Sequence, residues 1–323
     1  MARGEDVGRR EFLIQSGAMA AGAMLARPAL AQGQAPTGPQ GKSKTRLILL
    51  GTGGGPRPRK NSLSSSQVIL VNDVPYVVDC GYGVSRQLVF ADIPLARLRH
   101  VFITHHHSDH NAEYGTLLLL AWASGLRTRV DTWGPPPLEK ITRLSFEMNA
   151  YDINTRIADE GRLPLVPLVH VHEFSQGGLV MQDENVKVTA ALVHHPPVEP
   201  AFAYRFEASD RSIVISGDTN LSQNLVRLAQ GADVLVHEVL YVPAVDRLVA
   251  RVPNAATLKK HIIDSHTSVE DAGKVATGAG VKTLVLSHLV PPDDPSITDQ
   301  MWLEAAKTHF RGSVVLGKDL MEI

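Results

Sequence analysis

The run Thr104–His110, THHHSDH, puts four histidines and an aspartate into seven positions, directly after the strand-like stretch HVFIT. Neutral imidazoles and carboxylates are good ligands for zinc and similar divalent metals, with bonds near about 2.0–2.2 Å. His105, His107, Asp109 and His110 occupy positions i, i+2, i+4 and i+5 of a tight turn, so their side chains can converge on two adjacent ions. Four ligands do not complete two sites. The pattern therefore predicts further ligands downstream at strand ends, and three segments supply them: HHPP with His194 or His195, SGDT with Asp218, and LSHL with His288.

The rest of the chain reads as alternating β and α segments. From Thr45 onward TRLILLG, QVILV and YVVDC lead into a helix near residues 83–91. In the second half VKVTAALV, AFAYRF, SIVISG, DVLVHEV and KTLVLS read as strands, and SQNLVRLAQG, SVEDAGKVATGAG and ITDQMWLEAAKTHF as helices. Each strand run ends in a polar cluster, where chemistry is expected. Two longer irregular segments, 144–167 and 241–265, are expected to border the site as lids or arms. One domain is expected over 45–323.

Composition excludes several classes. With 44% hydrophobic and 20% charged residues the chain has material for a large core and is not a disordered or fibrous protein. Lys plus Arg (32) nearly balances Asp plus Glu (33), so no global basic field draws it onto nucleic acid. The single cysteine, Cys80, excludes an intrachain disulfide and a cysteine-rich zinc site.

Arg9-Arg10 followed by Phe12-Leu13, a mildly apolar run and ALAQ at residues 29–32 resembles a twin-arginine (Tat) export signal with cleavage after Ala31. The run is too short to span a bilayer. Residues 1–31 are thus expected to be a signal peptide, 32–44 a loose Gly/Pro/Gln/Ser linker, and the mature protein periplasmic or secreted and free of membrane, with the Tat machinery as a transient partner.

In chain order, LGTGGG (50–55), VVDCG, THHHSDH, HHPP, SGDT, LVHE and LSHL resemble the metallo-β-lactamase superfamily, and within it the ribonuclease Z and bacterial arylsulfatase-like branch. The resemblance covers the chain from about residue 45 to its end. It implies an α/β fold, a four-layer αβ/βα sandwich with a dinuclear centre at one edge of two sheets. It implies two divalent ions, zinc or alternatively manganese. His105, His107 and His195 would hold one; Asp109, His110 and His288 would hold the other; Asp218 would bridge them, with Asp79 supporting the ligands from behind. His195 is preferred to His194 because the family histidine lies just before the small or proline residues. His106 would face away. The resemblance also makes His266, in SHTSVEDA, the general acid or oxyanion stabiliser, supported by the pair His237 and Glu238. His170 and His172 are read as an exposed strand face, and Arg57, Arg59 and Lys60 as a solvated loop that could attract an anionic ester.

Two such ions about 3.5–4 Å apart acidify a shared water and polarise an ester. Asp218 stands where true β-lactamases of the superfamily carry Cys or Ser, which argues against antibiotic hydrolysis. Segment 144–167 balances Arg156 and Arg162 with four acids and so lacks the charge of an RNA-gripping arm. The expectation is an exported hydrolase of a small-molecule ester, an aryl sulfate or phosphodiester, with no nucleic-acid partner; a homodimer is compatible with it. The alternatives are a ribonuclease Z-like phosphodiesterase on RNA, a lactonase or β-lactamase, and a metal-dependent binding protein without turnover.

Overall fold

Along β1 (Arg46–Gly51), Leu47 and Leu49 point to one side of the strand and Ile48 and Leu50 to the other, and all four are buried. Side chains alternate along a strand, so a strand buried on both faces must lie between two other layers. The computed structural model describes residues 45–252 and 255–323. The expected signal segment and linker lie outside the described residues.

The first sheet joins β1 to β2 (Ser66–Val71), β3 (Val74–Val78), β4 (His100–Phe102), β5 (Val130–Gly134) and β6 (Val169–Glu173) in that order. Its helices are α1 (Val84–Phe90), α2 (Ser108–Asn111), α3 (Tyr114–Ala123), α4 (Leu138–Met148) and α5 (Ala150–Glu160). The second sheet runs β7 (Gly178–Gln182), β8 (Val186–Val193), β9 (Ala201–Ala208), β10 (Ser212–Ile215), β11 (Val234–Leu240), β12 (Thr283–Val290) and β13 (Ser313–Leu316), each beside the next. It carries α6 (Gln223–Leu228), α7 (Val245–Ala250), α8 (Leu258–Ser265), α9 (Val269–Ala279) and α10 (Asp299–Lys307).

Leu47, Leu49, Tyr76, Phe102, Phe202, Tyr204, Phe206 and Val236 fill the space between the sheets. Ile48, Leu50, Val101 and Ile103 face the helices of the first half, while Leu235, Val239, Leu284 and Leu286 face α6, α9 and α10. The result is the four-layer αβ/βα sandwich. Phe102 anchors the strand before the histidine run: its ring lies 4.8 Å from Trp133, 5.5 Å from Tyr204 and 5.2 Å from Phe206. Truncating a ring so enclosed typically costs about 3–5 kcal/mol. Strands β3 to β6 pair in parallel, as do β10 to β13, so their carboxyl ends gather at shared edges, where ligands bind in open α/β sheets.

Two expectations need correction. Segments 144–167 and 241–265 are mainly helical, forming the end of α4 with α5, and α7 with α8. Their amphipathic periods are short and interrupted by turns, which hides them from a reading based on length. His288 lies inside a strand rather than beyond it, because β12 runs further than its apolar core suggests, whereas β11 holds His237 and Glu238 as the strand reading of DVLVHEV expects. Among the described residues no helix is long and apolar enough to cross a membrane.

Candidate functional site

The chain leaves β4 after Phe102 and turns into α2, and this passage projects His105, His107, Asp109 and His110 from one edge. His195 follows β8, Asp218 follows β10, and His288 sits in β12 at an irregularity. There Ser287 pairs with Glu238 and Leu289 with Val239, leaving His288 as an extra residue with φ +44°. A bulge of this kind re-aims a side chain and is uncommon for a non-glycine in the left-handed region. Gly54 completes the approach: a Cβ there would lie 2.7 Å from His288 Nδ1.

Two donor groups result. In the first, His105 Nε2 and His195 Nε2 lie 3.2 and 3.0 Å from His107 Nδ1, and each is 3.8 Å from Asp218 Oδ2. In the second, His110 Nε2 is 3.2 Å from Asp218 Oδ1 and 3.7 Å from Asp109 Oδ2, while His288 Nε2 is 3.2 Å from one oxygen of each aspartate. Bonds of about 2.0–2.1 Å to a tetrahedral zinc place ligand atoms about 3.4 Å apart, and these separations bracket that value. Asp218 belongs to both groups.

The backs of the rings decide which nitrogen faces inward. His110 Nδ1 meets Asp79 Oδ2 at 2.7 Å, His195 Nδ1 meets the Ser265 carbonyl at 2.8 Å, and His105 Nδ1 meets Thr104 Oγ1 at 3.0 Å. Asp79 is itself held by the Thr104 backbone N–H and hydroxyl. The Nε2 lone pairs therefore converge on each other, and His110 Nε2 and Asp218 Oδ1 are buried with no hydrogen-bond partner among the described residues. Buried polar atoms left so are rare unless a cation satisfies them. The donor set and its orphaned atoms fit a pair of divalent metals.

Electrostatics divides the cluster. Burial resists charge on His110, but Asp218, Asp79 and Asp109 outweigh it and raise its pKa well above the ordinary imidazole value. His105, among other histidines, is driven well below it by burial, and His195 is lowered to about 4 for the same reason. Asp109 and Asp218 stay far below the usual carboxylate range, because the neighbouring histidines overcome the opposing effect of burial. Asp109 is steadied from the glycine loop, where the Gly55 N–H donates to its Oδ2 at 2.7 Å.

A cavity of ≈ 320 Å³ opens beside this cluster, with His107, Asp109, Asp218, His266 and His288 in its wall. His266 lies between the ligands and Glu238: its Nδ1 is 3.3 Å from Glu238 Oε1 and 3.9 Å from Asp218 Oδ2. Burial disfavours its protonation, yet Glu238 and Asp218 push its pKa up to about 9. Glu238 Oε1 accepts from the Thr219 and Thr267 N–H groups, which fixes the carboxylate. The Ser268 hydroxyl caps α9, accepting from the Asp271 N–H.

His237 departs from its expected place. In β11 it falls between Leu235 and Val239, whose side chains join the helix-facing core, so alternation turns it from His266 while Glu238 turns toward that ring. His106 bonds the Pro135 carbonyl and Asn111, outside both donor groups. His194 is exposed, His170 is exposed, and His172 pairs with Asp131. Arg59 is no freely solvated loop residue: it donates to the Gly54 and Gly55 carbonyls and, with Arg57, lines the cavity. The cavity also holds groups that the sequence reading passed over. Leu258, His261 and Ile262 come from α8, joined by Leu248 and Val252. The available signal was their 0, 3, 4 spacing with Ser265 at 7, one face of a helix. Segment 144–167 does not line this cavity.

Replacing Asp79 by Asn removes the charge that orients His110. Metal affinity is expected to fall about 10–100-fold with the fold intact, as competition with a chelator would measure; unchanged affinity would show that the Asp79–His110 pair does not set ligand strength.

A model of the beta-lactamase superfamily domain matches residues 76–289. A protein named ribonuclease Z from Mycobacterium bovis (strain BCG / Pasteur 1173P2) is 34% identical over 280 residues, covering 86% of this chain and 97% of that protein. The ribonuclease Z of Mycobacterium marinum (strain ATCC BAA-535 / M) is likewise 34% identical over 86% of this chain and 97% of its own. Among solved structures, the metallo-beta-lactamase fold protein YhfI from Bacillus subtilis aligns with TM-score 0.64 at 21% identity, covering 86% of this chain and 98% of its own. The short form of human tRNase Z aligns with TM-score 0.63 at 22% identity over the same shares. Relatives named for a ribonuclease overturn the expectation of a small-molecule ester without nucleic acid. That expectation weighed the charge of 144–167, which forms helices away from the cavity, and discounted the arginines that line it.

Proposed function

Because the chain belongs to the metallo-β-lactamase superfamily and is a metal-dependent hydrolase of ester bonds, we propose that its substrate is RNA, cleaved at a phosphodiester bond in the manner of a ribonuclease Z. The observation that supports this most is the near-complete span of the similarity to the mycobacterial relatives, which runs over 280 residues rather than over one motif.

In this reading His105, His107, His195 and Asp218 hold one divalent ion, and Asp109, His110, Asp218 and His288 the other. When bound, such ions acidify water and neutralise charge on a phosphate. The protein's own groups do the remainder. Arg57 and Arg59 place positive charge at the cavity wall, where a phosphate needs it. His266 stands ready to give a proton to the departing oxygen or to steady the developing charge, and Glu238 positions it and keeps it protonated.

The deciding experiment incubates the zinc- or manganese-loaded full chain with a precursor transfer RNA bearing a 3′ extension, beside nitrophenyl sulfate and a cephalosporin. Discrete RNA cleavage that chelation abolishes and zinc restores is the expected result. Turnover of the sulfate or the cephalosporin with intact RNA would overturn the reading.

A further inference from the structure

Among the described residues, those of the α7–α8 segment that line the cavity are apolar except for one imidazole, which neither donor group uses. His261 lines the cavity beside Leu258 and Ile262, and its ring centre lies 5.9 Å from that of His107 and 6.2 Å from that of His195. It belongs to neither metal-ligand group.

Hydrogen bonding sets its tautomer. The Ser265 hydroxyl has one proton, and it donates that proton to the Pro196 carbonyl at 2.5 Å. Toward His261 Nδ1, 3.2 Å away, Ser265 Oγ can then only accept. The ring proton therefore resides on Nδ1, and Nε2 carries a lone pair. Nε2 is remote from the backbone, and no described residue hydrogen-bonds it. An acceptor among apolar neighbours such as Leu258 and Ile262 calls for a donor on the ligand.

If the phosphate of an RNA lies at the ligand cluster, the adjoining sugar lies next to it. The donor that ribose has and deoxyribose lacks is the 2′-hydroxyl. The cavity of ≈ 320 Å³ is at the small end of ligand sites and suits one nucleotide rather than a duplex. We propose that His261 Nε2 accepts a hydrogen bond from the 2′-hydroxyl of the nucleotide seated against Leu258 and Ile262, making the site select ribose there while the apolar wall holds the base without reading its edge. This rests on the RNA reading above.

The test uses the zinc-loaded full chain with two probes. Calorimetry compares adenosine 5′-monophosphate with its 2′-deoxy form; cleavage assays compare an RNA with versions carrying a single 2′-deoxy residue on either side of the scissile bond. The wild type is expected to favour ribose about 5–10-fold in both assays, the worth of one hydrogen bond. His261→Leu should retain both ions by metal analysis and lose the preference, with a ratio near unity. His261→Gln, which carries an amide oxygen, should restore much of it. No preference in the wild type, or an undiminished one in His261→Leu, overturns the proposal. RNA cleaved with a preference indifferent to His261 sinks this contact alone. A His261-dependent preference for the ribonucleotide without RNA cleavage sinks the phosphodiesterase reading and leaves the contact standing.

Discussion

Asp218→Ala should lose both metals and lower turnover on the order of 10⁴-fold, since a dinuclear site and its activated water fail as a unit. The reason is the position of the carboxylate. It is buried, belongs to both donor groups, and opposes histidines on either side at 3.2–3.8 Å. Without it, the nitrogen lone pairs of His105, His195, His110 and His288 confront one another with one fewer anion among them. Metal analysis after desalting, beside the RNA assay, tests this. Retention of two ions at a near-normal rate would show that Asp218 does not link the groups. His107→Ala, which removes a ligand from only the first group, should lose metal and activity with a residual ion at the second.

His266→Ala should behave differently, keeping both ions but losing about 10²–10³-fold in kcat, the usual worth of a positioned acid or oxyanion donor. Equal metal loss in His107→Ala and His266→Ala would place His266 among the ligands instead. Glu238→Gln separates a positioning role from mere packing. Glu238 raises the pKa of His266, pushed up to about 9 without metal, so the protonated ring is favoured below that value and lost as pH rises through it. Removing the carboxylate charge lowers that pKa, so the alkaline limb of the rate profile should move to lower pH. A limb that stays in place would assign it to another group.

The ligand constellation was legible because its residues are short, polar and adjacent to apolar strand runs, and the period of two gave the sandwich its layers. What alternation does beyond a strand's obvious core was less legible. His237 and Glu238 read as one pair, yet consecutive residues of β11 face opposite layers, and only Glu238 reaches His266. His288 reaches the cluster through an extra residue in β12, a local register change that depends on its neighbour β11. His261 escaped notice because α8 is short and carries Lys259 and Lys260 at its start, so its apolar face looked like loop. Substrate class was misjudged for a similar reason. The sum of charges over a segment says little about where individual arginines such as Arg59 come to rest.

The cluster also draws its members from both sheets, with Asp109 and His288 coming from positions 179 residues apart. A chain with one cysteine cannot close an intrachain disulfide. Ions held between these residues would act as a removable clasp, closing a loop far longer than most disulfides do and narrowing the unfolded ensemble accordingly. Chelation should then do more than silence a reaction. It should free the two halves of the sandwich to part at this edge, so that metal supply governs how long the folded chain survives as well as how fast it works.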